Sequence, residues 1–119
     1  MNKNEAFAIT KYVRISPRKA RLAAGLIRKK RVKEAILQLN FCNLKGGRLL
    51  KKTLKSAIAN AENNLSLRVE DLVVTEVRVD DGPTMKRAKS KCRGGRVPVL
   101  KRSSHFKVTV GTVKKEAQE

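Results

Sequence analysis

The chain has few aromatic residues, which make up 3% of its 119 positions: one tyrosine, three phenylalanines and no tryptophan. Proteins that read single-stranded nucleic acid stack exposed aromatic rings on the bases, and helices that lie on anionic membranes need Trp or Phe on their apolar face. Phe7 and Phe106 fall in strand-like segments and are predicted to face the core. The shortage of aromatics therefore disfavours base stacking on a sheet and attachment to a membrane surface.

Cysteine and histidine are also scarce. Cys42 and Cys92 lie far apart and the chain has one histidine, so there is no CxxC pair and no His/Cys cluster with the spacing of metal ligands. We expect two reduced thiols, as in a reducing compartment, and no metal or other cofactor. Asp80 and Asp81 are adjacent and point apart, with no third carboxylate nearby, and are expected to form a turn.

Catalytic groups are few. General acid–base chemistry needs a titratable group beside a nucleophile or a second carboxylate, and His105 is the one candidate. It follows Ser103 and Ser104, but adjacent strand residues point to opposite faces of a sheet, so these side chains do not form a Ser/His pair. We expect a histidine at a sheet edge, hydrogen-bonded to backbone or phosphate, and no enzymatic activity.

Long apolar runs are missing. No stretch approaches the roughly 20 apolar residues of a membrane-spanning helix, and none near the N-terminus has the apolar run of about seven or more residues found in signal peptides. The expectation is a cytoplasmic protein without membrane insertion. The length of 119 residues suits one domain, predicted to span residues 1–119.

Positive charge is what the chain has in excess. It carries 29 Lys and Arg against 10 Asp and Glu, for a formal charge of +19 and a pI of 10.8. Such a basic domain is typical of nucleic-acid binding. A polyanionic partner would relieve the self-repulsion, and counterion release would make its affinity fall with added salt.

Alternation with period two predicts three strands, at about residues 6–14, 72–79 and 106–110. In the first strand, Phe7, Ile9 and Val13 are predicted to share one face. In the second strand, the shared face is predicted to hold Val73, Thr75, Val77 and Val79.

Apolar residues spaced as on a helix predict three helices, at about 17–28, 32–40 and 48–64, with a break at 43–47. Ser16 before Pro17 predicts the first helix start, because the hydroxyl can cap a backbone N–H and proline suits the first turn. Asn63 and Asn64 predict the last helix end. The fold class is therefore α+β, with three helices on a three-stranded antiparallel sheet.

The segment 82–102, between the second and third strands, predicts a long protruding β-hairpin. It carries eight cations, no acid and no helical apolar stripe. If extended, it reaches about 30 Å from the sheet, and Gly94 and Gly95 are expected to supply the positive φ of its reversal. Repulsion along such a ribbon predicts a tip that is mobile in isolation and ordered by a partner.

Arginines at the start of the first helix also favour a phosphate partner. Arg14, Arg18 and Arg21 oppose the helix macrodipole, and a nearby phosphate would compensate. Contacts to phosphate and sugar fit folded RNA. The alternative is an architectural protein that binds duplex DNA; such proteins usually need a dimer interface, whereas the apolar stripes here are predicted to be used inside one core.

Several motifs, in one order, resemble the bacterial form of large ribosomal subunit protein 22. They are Val13–Arg21 (VRISPRKAR), Leu26–Arg28, Ser56–Asn63 (SAIANAEN), Val79–Pro83 followed by Met85–Arg87, and Lys101–His105. The resemblance covers about residues 6–112. It implies a noncatalytic protein of the large subunit that binds 23S rRNA and bridges rRNA domains during assembly, beside other large-subunit proteins. The use of the apolar stripes inside one core predicts that the protein is not a homo-oligomer.

The resemblance also implies positions for the two parts of the chain. The body would lie near the outer opening of the peptide exit tunnel, and the hairpin would line the tunnel near the nascent peptide. The predicted rRNA contacts are Arg14, Arg18, Lys19, Arg21, Arg28, Lys29, Asn60, Lys86, Arg87, Lys89, Lys91, Arg93, Arg96, Lys101, Arg102 and His105. The predicted tunnel residues near the tip are Met85, Ser90, Cys92, Gly94 and Gly95.

The tip departs from the pattern of the family. Ser90 stands where proline is common, Cys92 where alanine is usual and Gly95 where arginine is frequent, and Arg96 and Pro98 are also atypical. We hypothesise that Arg96 takes over a phosphate contact from the missing arginine.

Overall fold

The computed structural model describes residues 4–113. The strands are β1 (Glu5–Val13), β2 (Leu72–Asp81), β3 (Met85–Ser90), β4 (Arg96–Lys101) and β5 (Ser104–Thr112). The helices are α1 (Pro17–Ile27), α2 (Val32–Phe41) and α3 (Lys45–Leu65), with short 3₁₀ turns at Val69–Asp71 and Cys92–Gly94.

The strands form two antiparallel units. β1, β5 and β2 make a three-stranded sheet in that order, with β5 in the centre. β3 and β4 pair with each other as a separate two-stranded ribbon. The predicted α+β class, with three helices, a three-stranded antiparallel sheet and a protruding hairpin, is confirmed.

The core lies between the helices and one face of the sheet. Phe106, Val108 and Val110 of β5 are fully buried there. The helices present the predicted apolar stripes to them, namely Ala20, Ala23, Ala24 and Ile27 from α1 and Leu50, Leu54, Ala57, Ile58 and Ala61 from α3. Asn60 Nδ2 donates to the carbonyl oxygen of Phe7 at 2.9 Å, which fastens α3 to β1.

The predicted buried face of β1 is wrong. Ala6 and Ala8 face the core, whereas Ile9 is 50% exposed and Phe7 is only half-buried. A β-bulge between Thr10 and Val13 adds one residue to β1, and this extra residue returns Val13 to the core. The alternation therefore changes phase within the strand.

β2 has a second bulge, between Val74 and Glu76. Its buried residues are Leu72, Val74, Val77 and Val79. The prediction that Val73 and Thr75 share a face with Val77 and Val79 is wrong, because the bulge moves the apolar positions from one parity to the other.

Helix ends differ in detail from the predictions. α3 begins at Lys45, so the predicted break at 43–47 is wrong in its second half. Gly46 is buried against α1, where a Cβ atom would lie 3.2 Å from Ala20 Cα; this glycine permits close helix packing and does not end a helix. The predicted helix start is confirmed, with Ser16 at the N-cap position and Pro17 as the first helical residue, but the Ser16 side chain makes no capping hydrogen bond.

α2 ends at Phe41, one residue beyond the predicted Asn40. α3 ends at Leu65, where Ser66 adopts a left-handed conformation with φ 52° and its N–H bonds back to Ala61. Within residues 4–113, no helix is both long and apolar enough to cross a lipid bilayer.

The outer edge of β2 is covered by α1 and the turn that follows it. Arg21 donates from Nε and Nη2 to Val79 O at 3.3 and 3.1 Å, and Arg28 Nη2 donates to Val77 O at 3.1 Å. The Lys29 N–H donates to the Val74 carbonyl at 3.1 Å. These bonds satisfy carbonyls that an open edge strand would leave for another chain.

Candidate nucleic-acid interface

The hairpin of β3 and β4 makes the molecule long and narrow. The principal extents are 73, 26 and 23 Å, and the radius of gyration is 17.9 Å, against about 13 to 14 Å for a compact chain of this length. Between Pro83 and Arg102 every residue is exposed except Val99, which is half-buried. The hairpin therefore has no core of its own.

The register of the hairpin keeps its cations apart. Lys86 faces Leu100, Arg87 faces Val99 and Lys89 faces Val97 across the ribbon. Lys101 faces Met85 and Arg96 faces Ser90. Like charges directly opposite each other destabilise a strand pair, so this register removes the strongest repulsion while both faces remain basic.

The tip reverses through two left-handed residues. Arg93 has φ 59° and Gly94 has φ 72°, and the Lys91 N–H closes the turn on the Gly95 carbonyl at 2.7 Å. The prediction of a positive φ is confirmed for Gly94 and wrong for Gly95, whose φ is −70°. Cys92 is exposed in this turn.

Two serines attach the hairpin to the body. Ser103 Oγ donates to the Pro83 carbonyl at 2.6 Å on the exposed side, and the Gly82 N–H donates to the Ser103 carbonyl at 2.9 Å. Ser104 is fully buried, and its Oγ donates to the Ile15 carbonyl at 2.6 Å. The hairpin base is thus tied to the loop between β1 and α1.

A basic groove, here called the basal groove, lies where that loop meets the hairpin base. One part, of about 470 Å³, is lined by Arg14, Ile15, Ser16, Lys19, Lys45, Leu100 and Arg102. The adjoining part, of about 660 Å³, is lined by Ser16, Pro17, Arg18, Lys19, Arg21, Leu22, Asp81 and Arg102. The structure therefore brings the predicted contact residue Arg102 next to four others that lie within residues 14–21.

Hydrogen bonds hold the cations of the basal groove in place. Arg14 Nη1 donates to the Arg102 carbonyl, and Lys45 Nζ donates to the Arg14 carbonyl at 3.0 Å. Lys45 was not predicted as a contact, because its position was assigned to a loop. Its place in the first turn of α3, packed against α1, is a tertiary feature without a local sequence signal.

The groove includes the N-terminus of α1, where backbone N–H groups and the helix dipole favour anions. The first turn of α1 holds no acidic residue. Among the described residues 4–113, Asp81 is the one acidic side chain that lines the groove, and its Oδ1 lies 3.8 Å from Arg21 Nη2. The groove is thus suited to a phosphate group.

The other predicted contacts lie elsewhere. Arg28 and Lys29 are at the far end of α1, and the Asn60 amide is bonded to β1. His105 lies on the central strand, so the expected sheet-edge position is wrong. Its predicted backbone bond is present, because Nδ1 accepts from the Tyr12 N–H at 3.0 Å.

Across residues 4–113, no three His, Cys, Asp or Glu side chains group together in a way that could hold a metal ion.

Comparison with known proteins gives the family. The sequence pattern described as Ribosomal protein L22p/L17e matches residues 8–111. This chain belongs to that family. Three similar relatives, each called Large ribosomal subunit protein uL22, come from chlamydial bacteria: Protochlamydia amoebophila, with 68% identity over 108 residues, 91% of this chain and 97% of the relative; Chlamydia muridarum; and Chlamydia pneumoniae. The last two are each 61% identical over 104 residues, 87% of this chain and 94% of the relative.

The predicted family is confirmed. The protein is a structural constituent of the large ribosomal subunit, acts in translation and is not an enzyme. Its surroundings are accordingly rRNA and other ribosomal proteins. The expected localisation, to the large ribosomal subunit, is confirmed with the family.

Proposed function

We propose that the chain, acting as a monomeric single domain, binds 23S rRNA through two surfaces and thereby bridges rRNA segments during assembly. The surfaces are the basal groove and the hairpin. The observation that supports this most strongly is the hairpin itself, which carries eight cations and no acid on a ribbon without buried residues. A phosphate backbone is the partner that such a surface fits.

The distribution of ion pairs supports the same proposal. The pairs found within residues 4–113 are Arg21–Asp81, Lys30–Glu34, Lys33–Glu70, Arg78–Asp80 and Lys107–Glu76. All of them lie in the body, and in this part of the chain none includes a hairpin cation. The hairpin charges are thus left for an external anion.

Bridging follows from the distance between the two surfaces. On the hairpin side the basal groove reaches only Leu100 and Arg102, at the base of the ribbon. Each hairpin strand has six residues, so the ribbon adds about 20 Å at 3.3 Å per residue before the tip turn. Phosphates at the groove and at the tip therefore belong to different parts of a folded RNA.

The tip is proposed to line the peptide exit tunnel, as the family resemblance implies. The residues offered to the tunnel and the nascent peptide are Ser90, Cys92, Gly94 and Gly95. Met85 was predicted near the tip as well, but it pairs with Lys101 at the base of the ribbon, so that position is wrong. The narrow, exposed ribbon supports insertion between RNA segments, because it presents cations on both faces. The body would remain at the outer opening of the tunnel.

Salt dependence of binding to transcribed 23S rRNA tests the phosphate contacts. In one variant Lys86, Arg87 and Lys89 of the hairpin become alanine. The matched control replaces three exposed residues of α3 with alanine, namely Arg48, Lys52 and Lys55. It removes the same residue types and the same charge from the body. The hairpin variant is expected to reduce the slope of log affinity against log salt by about 2 to 3, and the control by less than about 1. Equal slopes for the two variants would overturn the proposal.

Alkylation of Cys92 tests insertion of the tip. Cys42→Ala leaves Cys92 as the one thiol, and Cys92 is exposed. A maleimide is expected to react slowly with Cys92 in the complex with 23S rRNA and quickly in the free protein or with duplex DNA of equal mass. Equal protection by duplex DNA, together with a dimer in sedimentation, would favour the architectural DNA-binding alternative.

A further inference from the structure

Tyr12 is an exposed aromatic residue in an unfavourable backbone conformation. Its φ is 57°, in the left-handed region that a bulky residue rarely adopts. The residue is 68% exposed, so no burial compensates for the strain. Strained residues of this kind cluster at functional sites, and the position therefore needs an explanation beyond stability.

The bulge in β1 accounts for the left-handed backbone conformation of Tyr12 but not for the presence of an aromatic side chain there. Thr10 pairs with Phe106 and Val13 pairs with Ser104, so Lys11 and Tyr12 together stand opposite His105. A bulge redirects a side chain and often lies next to a functional site. Glycine would take the left-handed position without strain, yet this chain has its single tyrosine there.

His105 supports the tyrosine from the central strand. The Tyr12 N–H donates to His105 Nδ1 at 3.0 Å, and the two rings meet edge to face with centroids 5.0 Å apart. Because Nδ1 accepts, the neutral imidazole carries its proton on Nε2. The contact fixes the Tyr12 ring on the sheet face opposite the helices while leaving most of it open.

We infer that Tyr12, positioned by His105, is a stacking platform for an unpaired nucleotide of RNA. Bases of every kind stack on an exposed aromatic ring, and neighbouring cations hold the backbone of the same strand. Lys11 precedes the tyrosine, Arg14 follows it by two residues in the basal groove, and Arg102 precedes His105 by three. This rests on the proposed rRNA binding and adds a base contact to a surface otherwise made of phosphate contacts.

The shortage of aromatic residues predicted that base stacking on a sheet is disfavoured, and that prediction considered Phe7 and Phe106 but not Tyr12. Here one ring acts alone, next to a basic groove. A neighbouring ribosomal protein is the other class of partner that could cover the ring. The flanking positive charges favour the nucleotide, and the experiment below separates the two.

Fluorine NMR of the full chain grown with 3-fluorotyrosine tests the stacking directly, because Tyr12 gives the single resonance. A short oligoadenylate is expected to move this resonance upfield, as ring currents of a stacked base do, and an RNA duplex of equal length to leave it in place. An unmoved resonance at saturating oligoadenylate, an equal shift with the duplex, or a shift only with large-subunit proteins would each overturn the inference.

Two substitutions distinguish the effect of the Tyr12 ring on RNA binding from its effect on stability. Tyr12→Gly removes the ring at a backbone conformation that glycine adopts freely, so its Tm is expected at or above that of the unmodified protein while its affinity for oligoadenylate falls about tenfold. Tyr12→Phe keeps the ring and is expected to stay within about twofold. The salt slope is expected to be unchanged in both, because no phosphate contact is lost.

The outcomes distinguish the two proposals. If Tyr12→Gly binds oligoadenylate and 23S rRNA like the unmodified protein while the hairpin variant is weakened, the stacking platform is wrong and the phosphate-binding proposal stands. If neither variant alters binding to 23S rRNA, both proposals fail.

Discussion

The body and the hairpin of this protein are stabilised in different ways. The body buries its apolar side chains between three helices and a sheet, and Phe106, Leu50 and Leu54 have no exposed surface. The hairpin buries no residue fully, and its apolar residues Val97 and Leu100 are 40% and 44% exposed. The body can therefore fold by its own contacts, whereas the hairpin has only its cross-strand pairs to hold it together.

The body and the hairpin place different physical limits on their amino acids. Burial limits body residues to shapes that fill the core. In the hairpin the limit is electrostatic, because each of the five cations in β3 and β4 pairs with an uncharged residue on the opposite strand. Substitutions of the same type should therefore have very different costs in the two regions.

The largest difference is expected for apolar truncation. Phe106→Ala leaves a large cavity at the centre of the body and should lower the free energy of unfolding by about 3 to 5 kcal/mol. Val97→Ala in the hairpin should change it by less than about 0.5 kcal/mol. Urea unfolding followed by circular dichroism measures both. A large loss for Val97→Ala would show that the hairpin belongs to the same cooperative unit as the core.

Two adjacent serines give the next comparison. Ser104→Ala leaves the buried Ile15 carbonyl without its hydrogen bond and should cost about 1 to 3 kcal/mol of unfolding free energy. Ser103→Ala removes a bond on the exposed side, where water replaces the hydroxyl, and should cost about 0.5 kcal/mol or less. The same urea experiment compares them, and equal costs would contradict the boundary between body and hairpin at this point.

The smallest effect is expected inside the hairpin. Val99→Lys places a cation directly opposite Arg87 and should destabilise the ribbon by about 0.2 to 1 kcal/mol. Val99→Thr keeps the β-branched shape without charge and is the control. Amide hydrogen exchange should accelerate in β3 and β4 of the lysine variant alone, while the urea midpoint of the body stays constant. A fall in that midpoint would show that the two regions are coupled.

Local patterns were enough to predict the helices and the hairpin. The spacing of alanine and isoleucine in α1 and of leucine and alanine in α3 identified the faces that are buried. The uninterrupted cationic segment between two strands identified the arm. These features are local, since each depends on residues only a few positions apart in the chain.

The strand faces could not be predicted in the same way. Both edge strands, β1 and β2, contain a bulge opposite the central strand β5, and each bulge reverses the alternation within its strand. Ile9 and Thr75 were consequently assigned to the wrong face. A bulge depends on pairing with a strand distant in sequence, so the alternation of a single strand does not reveal it.

The candidate site was predicted in part for a related reason. The cations of the hairpin and of α1 were recognisable from charge, but their meeting at the basal groove depends on the hairpin base packing beside the start of α1. Lys45 was missed because Gly46 and Gly47 were interpreted as a break, whereas Gly46 permits close contact between α1 and α3. Tyr12 was missed because its left-handed conformation arises from the bulge.

The amino-acid sequence alone determined the charge, the helical faces, the hairpin and the family, because composition, short-range periodicity and ordered motifs carry them. The tertiary structure alone decided which strand face is buried, which cations share a groove and how Tyr12 is presented. Those features depend on pairings between β1, β2 and β5 across most of the chain, where a one-residue bulge moves every following side chain to the other face.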